Sequence, residues 1–339
     1  MKTYEIVELL GDGISPELSE SVHTVAESLP FRIDFHPVDL SVENRAKVGA
    51  SIYDTAVEEM KGLRTAIKYP TATQKESPNR VLRERCDFAV IHRPVMTFPG
   101  VENNFKQSLD VDVVRIATGG TYSDRGMRIG EESAVSVRVI ERRPSRLAAR
   151  FAFDLAREKS VNVVSTSKYT IQREADGLFE EQVEEISRRY PEVEYRRELF
   201  DALLAGVILR PQNYRVIVCP NEYGDFLSDM ACGLIGSIGL GDSASFAFDE
   251  DGGCTLAMFD PAGGSAPDIA GQGVCNPAAA LLAFGSLLRH IGQQEAGSAL
   301  RDAIREAIAE GKKTRDIGGE LNTREFTAAV AERLTASVG

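Results

Sequence analysis

Two carboxylates one helical turn apart stand in the segment Asn221-Glu-Tyr-Gly224-Asp225-Phe-Leu-Ser-Asp229. In a helix, Asp225 and Asp229 are i and i+4 and share a face. Side by side they repel unless a proton or cation intervenes, and hard oxygens of this kind suit Mg²⁺ or Mn²⁺. The competing reading makes Asp225 an N-cap and Asp229 a solvated first-turn acid, and the segment by itself favours it. A second group is basic. Ser77-Pro-Asn79-Arg80-Val-Leu-Arg83 leads into a strand ending at Arg93-Pro94, and Arg115 lies on the next strand. Guanidiniums at strand ends can fork onto carboxylates, although single surface arginines are common. A third group is the loop Gly263-Gly-Ser-Ala-Pro-Asp268-Ile-Ala-Gly271-Gln-Gly-Val-Cys-Asn276-Pro277. Its lone acid suits ribose hydroxyls; the plainer alternative is a long turn capped by Asn276.

The elements that must carry these groups alternate. β-type runs fall at 4–10, 31–36, 87–92, 111–117, 135–140, 161–167, 193–199 and 214–219. Helical stretches fall at 16–29, 144–159, 172–189, 200–209, 226–236, 277–291, 296–310 and 323–336. That alternation predicts an α/β protein with a largely parallel sheet. The glycines from Gly233 to Gly241 have neither the G-x-G-x-x-G spacing nor a strand directly before them, so they read as a helix end running into a loop. There is no Walker A sequence and no G-x-S-x-G elbow, so a nucleophilic mechanism has no support.

Composition narrows the classes. The chain has 339 residues, about two domains' worth. It is 43% hydrophobic and 27% charged, which argues against disorder. Its formal charge is −12 with no long basic block, so neither nucleic acid nor an anionic membrane surface is an expected partner. No apolar run approaches the ~18 residues of a membrane span, and the start lacks a signal-peptide pattern. The five cysteines are scattered, never C-x-x-C, and fit a reducing cytoplasm. The four histidines do not cluster in sequence, and each reads as a surface or core residue.

Taken in order, the motifs resemble the isocitrate/isopropylmalate dehydrogenase family, the β-decarboxylating dehydrogenases. Gly11-Asp-Gly-Ile-Ser-Pro-Glu17 is similar to the family's G-D-G-I-G-P-E, and Asn221–Asp229 to its N-x-x-G-D-I-L-S-D. Residues 264–277 are similar to G-S-A-P-D-I-A-G-K-G-I-A-N-P, and Thr314-Arg-Asp-Ile-Gly-Gly319 to T-R-D-L-G-G. The likeness covers nearly the whole chain. It implies a two-domain α/β fold that is not a Rossmann fold. Residues 1–95 and 246–339 would form a large, cofactor-side domain, and 96–245 a small domain with the dimer interface.

The resemblance also implies roles. Arg83, Arg93 and Arg115 would clamp the malate carboxylates, with Ser77 and Asn79 at the side arm. Tyr122 and Lys168 would be catalytic, as acid and base. Asp201, Asp225 and Asp229 would bind Mg²⁺ or Mn²⁺. Gly264, Ser265, Ala266, Asp268, Ile269 and Asn276 would bind NAD, with Asp268 on the ribose hydroxyls. The two protomers of a homodimer would share each site, with Lys168 and Asp201 coming from the partner. Four departures mark a divergent member: Gly263 where the family has His, Thr170 where it has Asn, Ile116-Ala117 after Arg115, and Ser15 for Gly.

Ser77 and Asn79 match S-x-N-x-x-x-R of the isocitrate enzymes, while the isopropylmalate enzymes present leucines there. The expected reaction is therefore oxidative decarboxylation of a 3-substituted malate with an anionic arm: isocitrate, a homologue or a phosphonate analogue. Length and the Thr118–Tyr122 segment lean toward 3-isopropylmalate dehydrogenase, which is the alternative. The rivals from other classes are a non-decarboxylating 2-hydroxy-acid oxidoreductase and a non-catalytic regulatory subunit.

Overall fold

The computed structural model describes residues 2–74, 76–105 and 107–338. The chain opens with β1 (Thr3–Leu10), α1 (Ser15–Ala26), β2 (Arg32–Asp39), α2 (Val42–Val48), α3 (Ser51–Leu63), β3 (Thr65–Lys68), α4 (Pro78–Arg85) and β4 (Phe88–Met96). Its middle supplies β5 (Asp110–Ile116), the hairpin β6 (Met127–Ile129) and β7 (Ser133–Val135), α5 (Arg142–Lys159) and β8 (Val163–Ser167). α6 (Ala175–Ser187), β9 (Tyr195–Leu199), α7 (Phe200–Leu209), β10 (Val216–Cys219) and α8 (Asn221–Leu234) follow. β11 (Asp242–Phe248) and β12 (Cys254–Pro261) lead to α9 (Ala278–His290), α10 (Gln294–Ala309) and α11 (Thr323–Val338).

Ten strands form one sheet in the order β2-β1-β3-β12-β11-β4-β5-β10-β8-β9, and the β6–β7 hairpin stands apart. Six neighbouring pairs are parallel; the three antiparallel ones, β12–β11, β11–β4 and β4–β5, are consecutive at the centre. Parallel strands need helical crossovers, which cover both faces, so their sequences are continuous apolar runs. β10, Val-Ile-Val-Cys, is buried at every residue. α9 is buried almost all round and packs against β3, β11 and β12, while α5 covers β4, β5 and β10. Among the described residues no helix is long and apolar enough to cross a membrane.

The run 135–140 is not the strand its alternation suggests. β7 ends at Val135, and beyond it only Val139 bridges, to Gly120. Arg138 is drawn inward by two carboxylates, which takes the segment off any strand edge. β3, β11 and β12 lack a clear sequence signal. β3 is four residues long, and buried Ser243 and Ser245 break the branched-apolar pattern of β11.

Candidate active site

α8 positions the paired carboxylates. It begins at Asn221, after an N-cap at Pro220, so Asp225 lies a full turn inside and is not a cap. The helix comes close to β5 because residue 224 is glycine; a Cβ there would lie 2.6 Å from the Arg115 Cβ. That approach lets Arg115, with its side chain 2% exposed, pair with Asp225 Oδ1. Its Nε donates to Asn221 Oδ1 at 2.9 Å. Arg93, from β4, donates through Nη1 to Asp229 Oδ1 at 2.7 Å and to Ser228 Oγ at 2.8 Å, and stands 3.5 Å from Asp225 Oδ1. The Tyr122 hydroxyl donates to Asp225 Oδ2 at 3.0 Å. Burial works against the Asp225 charge, but the Arg115 and Arg93 guanidiniums outweigh it and hold the carboxyl below its ordinary range. Burial, and then the Asp225 carboxylate, push the Tyr122 hydroxyl up to about 12.

A small polar cavity of about 170 Å³ adjoins these groups, with Lys68, Asn79, Arg83, Arg93 and Asp260 on its walls. Four buried atoms here have no hydrogen-bond partner among the described residues: Asn79 Oδ1, Arg83 Nε, Arg93 Nε and Asp260 Oδ1. Lys68 is fully enclosed, and burial pulls its ammonium down to about 8 although Asp260 opposes the shift. A second cavity, of about 510 Å³, is bordered by Ser77, Arg80, Arg83, Thr118 and Tyr122. Ser77 is the N-cap of α4, its Oγ accepting from Arg80 N at 3.4 Å, which places Asn79 in the first turn of the helix.

Lys168 and Asp201 lie elsewhere. The Lys168 ammonium donates to Asp201 Oδ1 at 2.9 Å, which lowers the Asp201 pKa. Among the described residues neither bonds to Tyr122, Asp225 or Asp229, and the three acids do not close around one ion-sized point within this chain. Asp225 (28% exposed) and Asp229 (53%) nevertheless share one open helical face, and two hard, accessible carboxylates fit part of a divalent-cation shell.

The glycine-rich loop meets the N-terminal motif. Ile14 N donates to Ser265 O at 2.9 Å. Glu17, in the first turn of α1, accepts from Gly271 N at 3.0 Å and Gly273 N at 2.7 Å. Asn276 Oδ1 accepts from Ala278 N at 2.9 Å at the head of α9, and its Nδ2 donates to Asp316 Oδ2 at 3.0 Å. The cavity between these pieces, about 230 Å³, is bordered by Ile14, Gly264, Ala266, Ile269, Asn276 and Asp316. Asp268 is exposed on the loop, and its carboxylate makes no hydrogen bond among the described residues. Apolar walls, exposed backbone and a free carboxylate fit a dinucleotide.

The departures have local explanations. A Cβ at Gly263 would meet nothing within 4 Å, so the place of the family histidine is open space. The Ser15 hydroxyl accepts from Gly11 N at 2.8 Å. Ile116 and Ala117 are buried core. Nothing in the structure explains Thr170.

Sequence reasoning missed Lys68, Asp260, Ser237 and Asp316 around these cavities. Lys68 carried a weak signal, as the charge that ends Thr-Ala-Ile-Lys; Asp316 stands in the Thr314–Gly319 motif and Ser237 in the Gly233–Gly241 stretch, neither of which was given a site role, and Asp260 carried none.

The isocitrate/isopropylmalate dehydrogenase family model matches residues 5–330. The chain is 34% identical to a 3-isopropylmalate dehydrogenase of Archaeoglobus fulgidus, over 97% of this chain and 99% of that protein. It is 32% identical to a mitochondrial regulatory subunit of the NAD isocitrate dehydrogenase of Dictyostelium discoideum, over 99% of this chain and 94% of that protein. The crystal structure of isocitrate dehydrogenase from Methylococcus capsulatus superposes with a TM-score of 0.90 at 30% identity, covering 98% of this chain and 99% of that one. The chain belongs to the isocitrate/isopropylmalate dehydrogenase family of decarboxylating hydroxy-acid dehydrogenases.

Proposed function

We propose that the protein oxidatively decarboxylates a 3-substituted malate with an anionic side arm, using NAD⁺ and a divalent cation, with isocitrate the first candidate. The observation that carries the arm's chemistry is the polar lining beside Arg83: Ser77 and Arg80 border the larger cavity and Asn79 the smaller one, where the isopropylmalate enzymes present leucines. A carboxylate or phosphonate arm would accept from the Ser77 hydroxyl, the Asn79 Nδ2 and the Arg80 guanidinium. An isopropyl group would set apolar surface against the same groups.

In this reading Arg83, Arg93 and Arg115 orient the malate carboxylates, and arginines now paired with Asp225 and Asp229 turn to substrate. Asp225 and Asp229, with Asp201 from a second copy, would hold Mg²⁺ or Mn²⁺, which would supply Lewis-acid polarisation of the C2 oxygen, and bound NAD⁺ would supply the acceptor for the C2 hydride. Lys168 of that second copy takes the hydroxyl proton. The C3–carboxylate bond then breaks, CO₂ leaves, and its electron pair stays on the substrate. Tyr122, kept protonated beside Asp225, returns a proton to C3. Gly264, Ser265, Ala266, Asp268, Ile269 and Asn276 hold the dinucleotide.

The proposal includes a homodimer in the cytoplasm, a small domain of residues 96–245, and a large domain of 1–95 and 246–339. The strand order supports that division, since β5, β8, β9 and β10 sit together at one end of the sheet. The competing substrate is 3-isopropylmalate, favoured by the likeness to the Archaeoglobus enzyme over nearly its full length. The regulatory-subunit reading draws on the Dictyostelium relative but leaves the complete set Tyr122, Lys168, Asp201, Asp225 and Asp229 without a purpose.

Side-by-side assays of CO₂ release and NADH formation decide. Isocitrate or another anionic-arm malate should give the highest kcat/KM, and Asn79→Leu should shift preference toward 3-isopropylmalate. Wild-type protein that prefers 3-isopropylmalate to every tricarboxylate and phosphonate overturns the arm. NADH without CO₂, or no turnover, overturns the reaction.

A further inference from the structure

Every segment that carries a candidate reacting group runs into one buried charge cluster that the mechanism does not use. Its centre is Asp176, at the start of α6 and fully enclosed. Asp176 Oδ2 accepts from Lys168 N at 2.8 Å and from the Tyr223 hydroxyl at 3.1 Å, and Oδ1 pairs with Arg138 Nη1. Arg138 Nε donates at 2.6 Å to Oε1 of buried Glu222, in the first turn of α8. The Arg138 guanidinium also stacks 4.9 Å from the Tyr223 ring centroid, and Tyr223 stacks on Phe200, the neighbour of Asp201. Glu222 is accommodated by Gly120, two residues before Tyr122. A Cβ there would lie 1.9 Å from Glu222 Oε2, and the backbone is left-handed, at φ +67°.

The cluster is one cation between two buried carboxylates. Removing the cation leaves both charges unpaired in a dry place, so the segments must move apart or admit water. The partners of Arg138 sit on separate elements: Asp176 grips the backbone of Lys168, and Glu222 opens the helix that presents Asp225 and Asp229. We infer that Arg138 is a positioning residue: by bridging Asp176 and Glu222 it fixes where Lys168 and the α8 carboxylates stand. The inference rests on the roles proposed above for Lys168 and Asp225. If a second copy supplies Lys168, the same bridge couples the residue each protomer lends to the residues it keeps.

The test uses full-length Arg138→Met and Arg138→Lys, with two readouts. The first is backbone hydrogen exchange in substrate-free protein. Arg138→Met should lose protection together at residues 163–171 and 221–226, while the remote loop at 264–276 is unchanged. The second is kcat per NAD⁺-binding site, with sites counted by nucleotide titration so that unfolded protein does not count. Arg138→Met should lose roughly 10–100-fold in kcat with KM for NAD⁺ within about twofold, and Arg138→Lys should recover part of the loss. Unchanged exchange, loosening of only one segment, or a kcat per site within about twofold of wild type overturns the inference. If Arg138→Met does not fold, Arg138→Lys is judged by the same criteria, with a smaller joint loss expected. A wild-type protein inactive on every malate would defeat the proposed reaction instead, and the exchange result would still decide whether Arg138 joins the two segments.

Discussion

The Tyr122 hydroxyl donates to Asp225 Oδ2 at 3.0 Å, so a candidate proton donor rests on a candidate cation ligand. The same carboxylate raises the Tyr122 pKa to about 12, after burial, and keeps the phenol protonated. Tyr122→Phe should therefore lower kcat roughly 10²–10⁴-fold. The ring is 42% exposed, so the melting temperature should stay with the wild type. Turnover within twofold of wild type would show that another group delivers the proton.

Asp225→Asn has two consequences of different origin. It removes a charged oxygen from the cation face, so activity should collapse and the Mg²⁺ or Mn²⁺ concentration for half-activation should rise. It also strips the counter-charge from Arg115, which is enclosed, and should cost on the order of 1–3 kcal/mol of stability. Cation titration and thermal melts check the two separately. Full activity with unaltered cation dependence would return Asp225 to a structural role.

The loop carboxylate at Asp268 makes no hydrogen bond within the described chain and is free to meet ribose hydroxyls. Asp268→Lys should raise KM for NAD⁺ roughly tenfold and erode the preference over NADP⁺ without changing stability. Gly263→His, placed where a new Cβ meets nothing, should lower that KM roughly 2–5-fold by stacking on adenine. Kinetics with both nucleotides test the pair, and wild-type preference for NADP⁺ would remove the basis of both.

Among the described residues Lys168 and Asp201 bond to each other and not to Tyr122 or Asp225, and the proposed sharing of sites assigns them to a second copy. Lys168→Ala and the double variant Tyr122→Phe/Asp229→Asn should each be nearly inactive. Mixed and allowed to exchange protomers, they should recover roughly a quarter of the wild-type rate, because half the dimers are mixed and each has one intact site. No recovery despite verified exchange, or an active monomer, would contradict shared sites.

Glu180, buried beneath β8, accepts from the Ser165 and Ser167 hydroxyls, and burial pushes its carboxyl up to about 7. The folded state thus favours the protonated form. Its contribution to stability is fully present below the ordinary carboxyl range and is lost as pH rises through about 7. Glu180→Gln cannot ionise, so it should gain on the wild type by on the order of 1–3 kcal/mol between about pH 5 and pH 8. Denaturation curves at both values check this, and parallel pH profiles would refute it.

What was legible in the sequence was local. β10 could be read because a strand buried on both faces must be apolar throughout, and α7 because its helical pattern spans residues 200–209. The i, i+4 spacing of Asp225 and Asp229 put them on one face before any neighbour was known, since helical geometry needs no tertiary partner. The order of the motifs was likewise enough to bring the family resemblance to light. The segment by itself favoured Asp225 as a cap, and wrongly, because the start of α8 depends on how β10 ends at Cys219 and where Pro220 turns the chain. The pairing of Arg93 and Arg115 with those acids required the crossing of α8 over β4 and β5, which Gly224 permits at close range. The cluster of Arg138, Asp176 and Glu222 left no trace in any window of sequence. Its members come from an irregular segment and two helices, and their charges are tolerable only because folding brings them together and removes the water around them.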